Sequence, residues 1–349
     1  MATMPLVSAG RNTLIDIAKS FGPDGKVATV AELLNQSNEI ITYLPFIEGN
    51  LPTGHKGVVR TGLPTVQLRS FYRGVKVSKS GRATIEDVCA MAEGRNEIDK
   101  DLADLNGNSA AYRLSEGLAF IEAMHQTFSQ QLLHRDSILG LTPRYNSLAA
   151  QSGANIIDAG GTGSDNTSVW LVVAGENTVS GIYPKGSQAG LQQQDLGEID
   201  AFDENNDRFR AYAELWKWKF GLHVKDWRYA VRIANIDVSD LKNMTGTQAD
   251  TAATYLPYLM AQAMQRIPSM GMGNAFFMAS RGTKGQMAVL AMKRSAGFMT
   301  VANAANQYGT VAPGYAAGQG TGIQGGAITF LGTPIITVDQ ILSTEARVV

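Results

Sequence analysis

The chain has 349 residues, and 44% of them are hydrophobic, which supplies a full core for one elaborate domain or for a few subdomains. The formal net charge of -1 gives no overall attraction to nucleic acid or to a membrane. The single cysteine, Cys89, excludes a disulfide or a cysteine-based zinc site within one chain. The four histidines lie far apart in sequence, so we expect no metal or other cofactor. No apolar run reaches the ~18 residues that a membrane-spanning helix needs.

Residues 1–45 have the pattern of an N-terminal arm. Two short amphipathic helices are predicted in "RNTLIDIAKSF" and "VAELLNQSNEIITYLPF", with a turn at Pro23–Gly25 between them. Neither helix can bury its apolar face alone. The segment has no long apolar run and is not a signal peptide, so we expect the protein to be intracellular when it is made.

Residues 46–108 have an unusual charge pattern. Residues 56–82 contain basic side chains and no acid: Lys56, Arg60, Arg69, Arg73, Lys76, Lys79 and Arg82. The acidic side chains follow, beginning with Glu86, Asp87, Glu93 and Glu97. The stretch "TVQLRSFYRGVKVSKS" predicts a strand, and "KSGR" predicts a turn. The region is either a solvated hairpin or a projecting loop that docks on an oppositely charged neighbour, in which case these eleven side chains are the candidate contacts between subunits.

Residues 109–135 predict the clearest helix. Apolar or aromatic side chains recur at spacings of four and three on one face, at Leu114, Leu118, Ile121, His125, Phe128 and Leu132. At about 1.5 Å per residue, this helix is a rod of roughly 40 Å. We expect the face to be buried and His125 to be a hydrogen-bonded core histidine.

The remainder is predicted to be mostly strand over 165–240 and mixed over 245–342. The segment "RFRAYAELWKWKFGLHVKDWRYAVRIANI" predicts two long antiparallel strands broken near Gly221. Helices are predicted in "TAATYLPYLMAQAMQRIP" and "GTKGQMAVLAMKRS", and strands in "NAFFMASRG" and "AITFLGTPIITVDQIL". The Gly-rich stretch 309–326 predicts a loop.

Three patterns invite a chemical interpretation. The stretch "DAGGTGSDN" from Asp158 is similar to a phosphate loop, but it lacks the Gly-Lys-Ser/Thr ending and the partner loops of a nucleotide site. Asp203, Asn205, Asp207 and Glu214 have the spacing of a calcium loop, but Arg208 stands where glycine is required. Asp226 and Arg228 are two residues apart, so we expect them to share a strand face and to form ion pairs across strands.

A resemblance covers nearly the whole chain. The order of several segments resembles the major capsid protein of tailed double-stranded-DNA phages, which has the Hong Kong ninety-seven fold, and in particular its epsilon-fifteen-like branch. The segments are "EIDKDLADLNGN" (97–108), "YRLSEGLAFIEAMHQTF" (112–128), "LTPRYN" (141–146), "NIIDAGG", "TSVWLVV", "GIYPKGSQAGLQQQDLGE" (181–198), "GLHVKDWRYAVRIANID" (221–237) and "LGTPIITVDQIL" (331–342).

The resemblance implies an α+β capsid fold in four parts. These are an N-terminal arm (1–45), an extended E-loop hairpin (46–108), a peripheral β-sheet domain with a long spine helix at 110–135 (109–240), and an axial α+β domain with the C-terminus (241–349). The peripheral strands precede the axial domain, a permuted order that the branch shares.

The resemblance further implies self-assembly into hexamers and pentamers of an icosahedral head around double-stranded DNA, which is held non-specifically. The implied partners are a separate scaffolding protein, a portal and a decoration protein, without a membrane. The virion capsid would be assembled in the host bacterial cytoplasm. Two other functions stay open from the residues alone: an intracellular α+β enzyme that binds a nucleotide at 158–163, and a nucleic-acid-binding module that acts through 56–82.

One further charge pattern fits a shell protein. No acidic residue occurs from Thr251 to Val338, whereas five cations do: Arg266, Arg281, Lys284, Lys293 and Arg294. We expect the absence of acidic residues to keep carboxylates away from packaged DNA or from crowded symmetry axes.

Overall fold

The structure is a computed structural model that describes residues 38–104, 109–135, 138–202, 206–293, 299–301 and 328–349. Its strands are β1 (Phe46–Glu48), β2 (Gly54–Gly62), β3 (Gly81–Asp99), β4 (Ile156–Asp158), β5 (Asn166–Ala174), β6 (Val179–Tyr183), β7 (Leu191–Phe202), β8 (Arg208–Val224), β9 (Ala230–Asp237), β10 (Asn274–Ala279), β11 (Met299–Val301), β12 (Ile328–Phe330) and β13 (Thr333–Thr337). Its helices are α1 (Ile40–Tyr43), α2 (Lys100–Ala103), α3 (Ser109–His134), α4 (Leu141–Arg144), α5 (Val238–Asn243), α6 (Leu256–Arg266) and α7 (Arg281–Lys293).

The chain divides into two compact units. Among the described residues, unit 1 takes in Ala90–Phe128 and Ser187–Phe220, and unit 2 takes in the remainder. The mixed α+β architecture agrees with the predicted fold class. Within the described part of the chain, no helix has both the length and the apolarity to cross a membrane.

Unit 2 is built around the buried strand β5. All nine residues of β5 are buried, which explains its continuous apolar sequence. It pairs antiparallel with β9 on one side and with β10 on the other, and β10 pairs in parallel with β13. Strand β4 extends the sheet in parallel beside β9. Helix α6 has Pro257 in its first turn, where the missing amide hydrogen costs nothing.

Unit 1 pairs a long hairpin with most of the long helix. Strands β7 and β8 run antiparallel from Leu191 opposite Trp218 to Phe202 opposite Arg208. Phe128 of α3 stacks on Trp218 with ring centroids 4.4 Å apart. Gly117 lets the helix lie close to the hairpin, since a Cβ there would come within 3.1 Å of the Trp216 ring. These contacts bury one side of α3.

The predicted elements of the second half of the chain are confirmed, with one correction. Strand β8 runs without a break through Gly221, and the interruption comes at the short 3-10 turn Trp227–Tyr229. Strands β8 and β9 do not pair with each other, since β9 pairs with β4 and β5. Gly221 is needed for close approach instead, because a Cβ there would come within 2.7 Å of the Val88 carbonyl oxygen.

The helix predicted at 109–135 is confirmed, but its predicted buried face is wrong over the first half. Phe128 and Leu132 are fully buried, whereas Leu114 and Leu118 are 68% and 52% exposed. In that half of the helix, the buried side chains include Tyr112. The predicted helix at 11–21 and the loop at 309–326 lie outside the described residues.

Candidate assembly interface

The hairpin of β2 and β3 projects an extended segment with no strand partner. The two strands pair antiparallel from Gly54 opposite Val88 to Gly62 opposite Gly81. Residues 63–80 between them form no strand, and they reverse direction at a turn in which the Arg73 amide donates to the Ser70 carbonyl oxygen at 3.3 Å. The predictions of a strand in "TVQLRSFYRGVKVSKS" and a turn at "KSGR" are therefore wrong. A strand needs a hydrogen-bonded neighbour, and none lies beside these residues in the described chain.

The segment 63–80, here called the tip, exposes large apolar side chains. Phe71 is 94% exposed, and Leu68 and Tyr72 are fully exposed. Leu63, Val66 and Val77 are each more than four-fifths exposed. Large apolar side chains exposed together in one segment are typical of protein–protein contact sites.

The cations of the hairpin are also free. Arg60, Arg69, Arg73, Lys76, Lys79 and Arg82 are exposed, and none forms an ion pair with another described residue. Lys56 lies 4.0 Å from Glu86 across the two strands, and both side chains are about half exposed, so this pair contributes little. The hairpin therefore combines apolar surface with unpaired positive charge.

The other candidate acids are occupied within the chain. Glu93 pairs with Lys217 at 2.6 Å, and Glu97 pairs with Arg95 at 2.8 Å. Asp87 is buried, with only 4% of its surface exposed. Its carboxylate belongs to the base of the hairpin, and no local sequence pattern signals this role, because its partners are distant along the chain.

Asp87 fixes the base of the hairpin through two buried contacts. Nδ1 of His223 donates to Asp87 Oδ2 at 2.7 Å, and Nη2 of Arg144 donates to Oδ1 at 2.6 Å. Burial alone would raise the pKa of Asp87, but the hydrogen bond from His223 and the positive charge of Arg144 outweigh it and lower the pKa below its usual value. Gly54 lies opposite the next residue, Val88, and a Cβ on Gly54 would come within 2.0 Å of the Asp87 carbonyl oxygen.

Two further groups lie beside this cluster. The His55 ring lies 4.5 Å from the His223 ring, and burial together with the charge of His223 lowers the pKa of His55. Burial raises the pKa of Cys89 to about 11, so its thiol stays protonated and unreactive at neutral pH.

The glycine-rich loop at 158–163 uses its backbone donors within the chain. The Gly160 amide donates to Asp158 Oδ1 at 2.8 Å, and the Gly161 amide donates to the Asn235 carbonyl oxygen at 2.8 Å. A phosphate cradle needs these amides free to face a ligand. The loop is a connector from β4 to β5, and the glycines serve its close approach to β9.

The two remaining candidate clusters are structural. Glu214 bonds to Arg113 at 2.7 Å, and Asp203 and Asn205 lie outside the described residues. The described side chains include no group of three or more potential metal ligands. Asp226 and Arg228 bond directly to each other at 2.7 Å in the 3-10 turn rather than across strands, which corrects the prediction made for them.

The cations of the acid-free stretch are largely engaged. Arg281 pairs with Asp339 at 2.6 Å, and Lys284 donates to Thr337 Oγ1 at 3.0 Å. Arg266 donates to the carbonyl oxygens of Ala154 and Ile156. The expected role of these cations towards DNA stays a prediction.

The comparisons with known proteins decide the class of this molecule. Residues 22–349 match the family described as "Major capsid protein GP7". The chain belongs to the major capsid protein GP7 family. The comparison with curated proteins found no match.

Solved capsids agree with the family. The chain is 26% identical to a chain of the cryo-EM structure of bacteriophage epsilon15, with 99% of each chain covered and a TM-score of 0.74. The capsid of bacteriophage JBD30 has the same fold, with 8% identity, 90% of this chain and 95% of that chain covered, and a TM-score of 0.51. The resemblance to tailed-phage capsid proteins, and to the epsilon-fifteen-like branch, is therefore confirmed.

This capsid protein has a structural role in the phage shell, and its family is not enzymatic. The alternative of a nucleotide-binding enzyme is not supported. The β2–β3 hairpin lies within residues 46–108, the segment for which the family resemblance implies the E-loop.

Proposed function

We propose that the protein assembles into the hexamers and pentamers of an icosahedral head, and that its E-loop holds neighbouring subunits together. The observation that carries the proposal is the tip at 63–80, which exposes Leu68, Phe71 and Tyr72 almost completely. Burying such side chains contributes about 1.5–3 kcal/mol each, which is large enough to drive association.

The charges of the hairpin select the partner surface. Six unpaired cations favour a neighbour rich in carboxylates, since complementary potentials fix register and exclude wrong contacts. Unit 1 of a neighbouring copy fits this requirement, because its described residues carry twelve carboxylates against seven cations. Asp195 and Asp200 on β7 are exposed examples, and each also pairs within its own chain, with Arg113 at 2.9 Å and Arg210 at 3.3 Å. Among the eleven candidates, we retain the cations and Glu86 as contacts, and we assign Asp87 to the base of the hairpin.

The other roles follow the division of the sequence into four parts. We propose that 109–240 is the peripheral domain and 241–349 the axial domain, in the permuted order of the branch. A scaffolding protein, a portal and a decoration protein are the proposed partners, and the shell forms in the host bacterial cytoplasm around double-stranded DNA. The acid-free stretch 251–338 supports non-specific contact with DNA through Lys293 and Arg294.

Substitution at the tip tests the E-loop proposal. The double variant Leu68→Ser/Phe71→Ser is expected to keep the melting temperature of the unassembled subunit, because these side chains contact nothing within it, and to lose shell formation in light scattering. The matched control is Leu68→Met/Phe71→Leu, which keeps apolar surface and is expected to assemble. Normal assembly of the serine variant would overturn the role of the tip.

A further inference from the structure

The exposed side of the first half of α3 carries no polar residue. Between residues 110 and 123, every exposed position is apolar: Ala110, Ala111, Leu114, Leu118, Ala119, Ile121 and Ala123. Leu114, Leu118 and Ile121 expose 68%, 52% and 39% of their surface. A helix on the surface of a protein ordinarily presents charged side chains to water on this side. Leu114, Leu118 and Ile121, at spacings of four and three, lie on one face of the helix, here called the α3 stripe, which has the character of a docking surface.

Unit 1 does not use the stripe itself. The internal contacts of the helix involve other residues, among them Tyr112, which lies in a buried cluster with Ile98 and Ala103. Further along the helix, Phe128 stacks on Trp218. The described residues of unit 1 leave more than half of the surface of Leu114 and of Leu118 exposed.

A segment of this chain outside the described residues has the complementary pattern. In "RNTLIDIAKSF", Leu14, Ala18 and Phe21 recur at spacings of four and three, the same spacings that separate Leu114, Leu118 and Ile121. Two amphipathic segments with this period bury their apolar faces against each other. Residues 11–21 carry Arg11, Lys19 and Asp16, a net charge of +1, whereas 110–123 carries Arg113, Glu116 and Glu122, a net charge of -1.

A linker of 16 residues connects the segment to the described chain. Residues 22–37 join the segment to Asn38, and they can extend to roughly 55 Å at ~3.4 Å per residue. We propose that residues 11–21 of the N-terminal arm dock on the α3 stripe through Leu14, Ala18 and Phe21. The proposal does not depend on shell formation, so it can fail or succeed independently of the E-loop proposal.

Disulfide trapping in the full-length chain identifies the occupant. In a Cys89→Ser background, Ala18→Cys and Leu118→Cys are combined, and the protein is oxidised both as unassembled subunits and as shells. The expected main product is a disulfide between positions 18 and 118, identified by peptide mass spectrometry. The matched control combines Ala18→Cys with Leu342→Cys, whose parent side chain is 49% exposed outside the stripe.

Each other product of this experiment overturns the proposal. A disulfide between two copies of position 118 would assign the stripe to a second copy of α3. Equal yields of the 18–118 and 18–342 disulfides would show random collision. Free thiols at both positions would indicate that a different protein, such as a scaffolding partner, binds the stripe.

A charge in the stripe supplies a second readout. Leu118→Glu is expected to speed tryptic cleavage after Lys19, because a buried carboxylate would expel the arm. Gln130→Glu is the matched control, since Gln130 is exposed on the same helix outside the stripe. Unchanged cleavage in Leu118→Glu would contradict the docking.

Discussion

Arg60 lies directly opposite Arg82 in the antiparallel register of β2 and β3. Both guanidinium groups are exposed, and neither forms an ion pair with any residue that the structure describes. Like charges in directly opposed positions destabilise a sheet. The isolated subunit thus carries a repulsion that carboxylates of a neighbouring subunit would relieve.

Removing one of these two charges should stabilise the unassembled subunit and weaken its assembly into shells. Arg60→Gln is expected to raise the free energy of unfolding of the unassembled subunit by about 0.5 kcal/mol, because the cross-strand repulsion is lost. The same variant should need a higher protein concentration to form shells, which light scattering measures. Lys242→Gln, at an exposed position on α5, is the control that should change neither quantity. A lower stability of Arg60→Gln together with unchanged assembly would contradict this account.

The buried carboxylate at the hairpin base should be far more costly to remove. Asp87→Asn leaves Arg144 and His223 without their anion, and we expect a loss of about 3 kcal/mol in urea unfolding. Glu86→Gln, one residue away and exposed, should cost less than about 0.5 kcal/mol. Because the pKa of Asp87 is lowered in the fold, its contribution is present above the unfolded pKa of about 4 and disappears as the pH falls through the folded pKa. Similar losses for the two variants would refute the role of Asp87.

His55 should make the subunit less stable in weak acid. Its pKa is lowered in the fold, so the unfolded chain binds a proton more readily. Stability should therefore fall as the pH drops below the unfolded pKa of about 6.5, and the loss should level off below the folded pKa. His55→Gln should flatten this part of the profile of melting temperature against pH. A wild-type profile that is flat from pH 7 to pH 5 would rule out this effect.

The C-terminal segment is held by a buried ion pair. Arg232 Nη2 donates to Glu345 Oε2 at 2.9 Å, and the Arg232 side chain is only 2% exposed. Glu345→Ala leaves a buried cation without its partner, so we expect a loss of about 3–5 kcal/mol in urea unfolding. Arg347→Ala, two residues away and exposed, is the control, with an effect within about 0.5 kcal/mol. A small effect of Glu345→Ala would show that the pair contributes little.

Sequence patterns predict those helices and strands whose apolar faces are buried within one chain. Strand β5 has a continuous apolar run because both of its faces are buried, and helices are predicted in the segments that form α6 and α7. The apolar pattern does not show which side of α3 packs within the chain. Part of that packing is at Gly117, which lies against the Trp216 ring and adds no apolar side chain to the pattern. The stripe and the tip look like core sequence, and only their exposure reveals them as surfaces for partners.

Long-range contacts were equally hidden from the sequence. Asp87 was grouped with the acidic run that follows the basic stretch, yet its hydrogen-bond partner His223 lies 136 residues away. The sequence predicts a break in the strand near Gly221, although this glycine serves the close approach of the Val88 carbonyl. Neither role leaves a local pattern, since both depend on the pairing of distant segments.

Electron microscopy of the recombinant protein, alone and with a scaffolding partner, is the most direct test of the structural role. The account predicts closed shells or capsomer rings that depend on protein concentration. Dispersed monomers under every condition would contradict it.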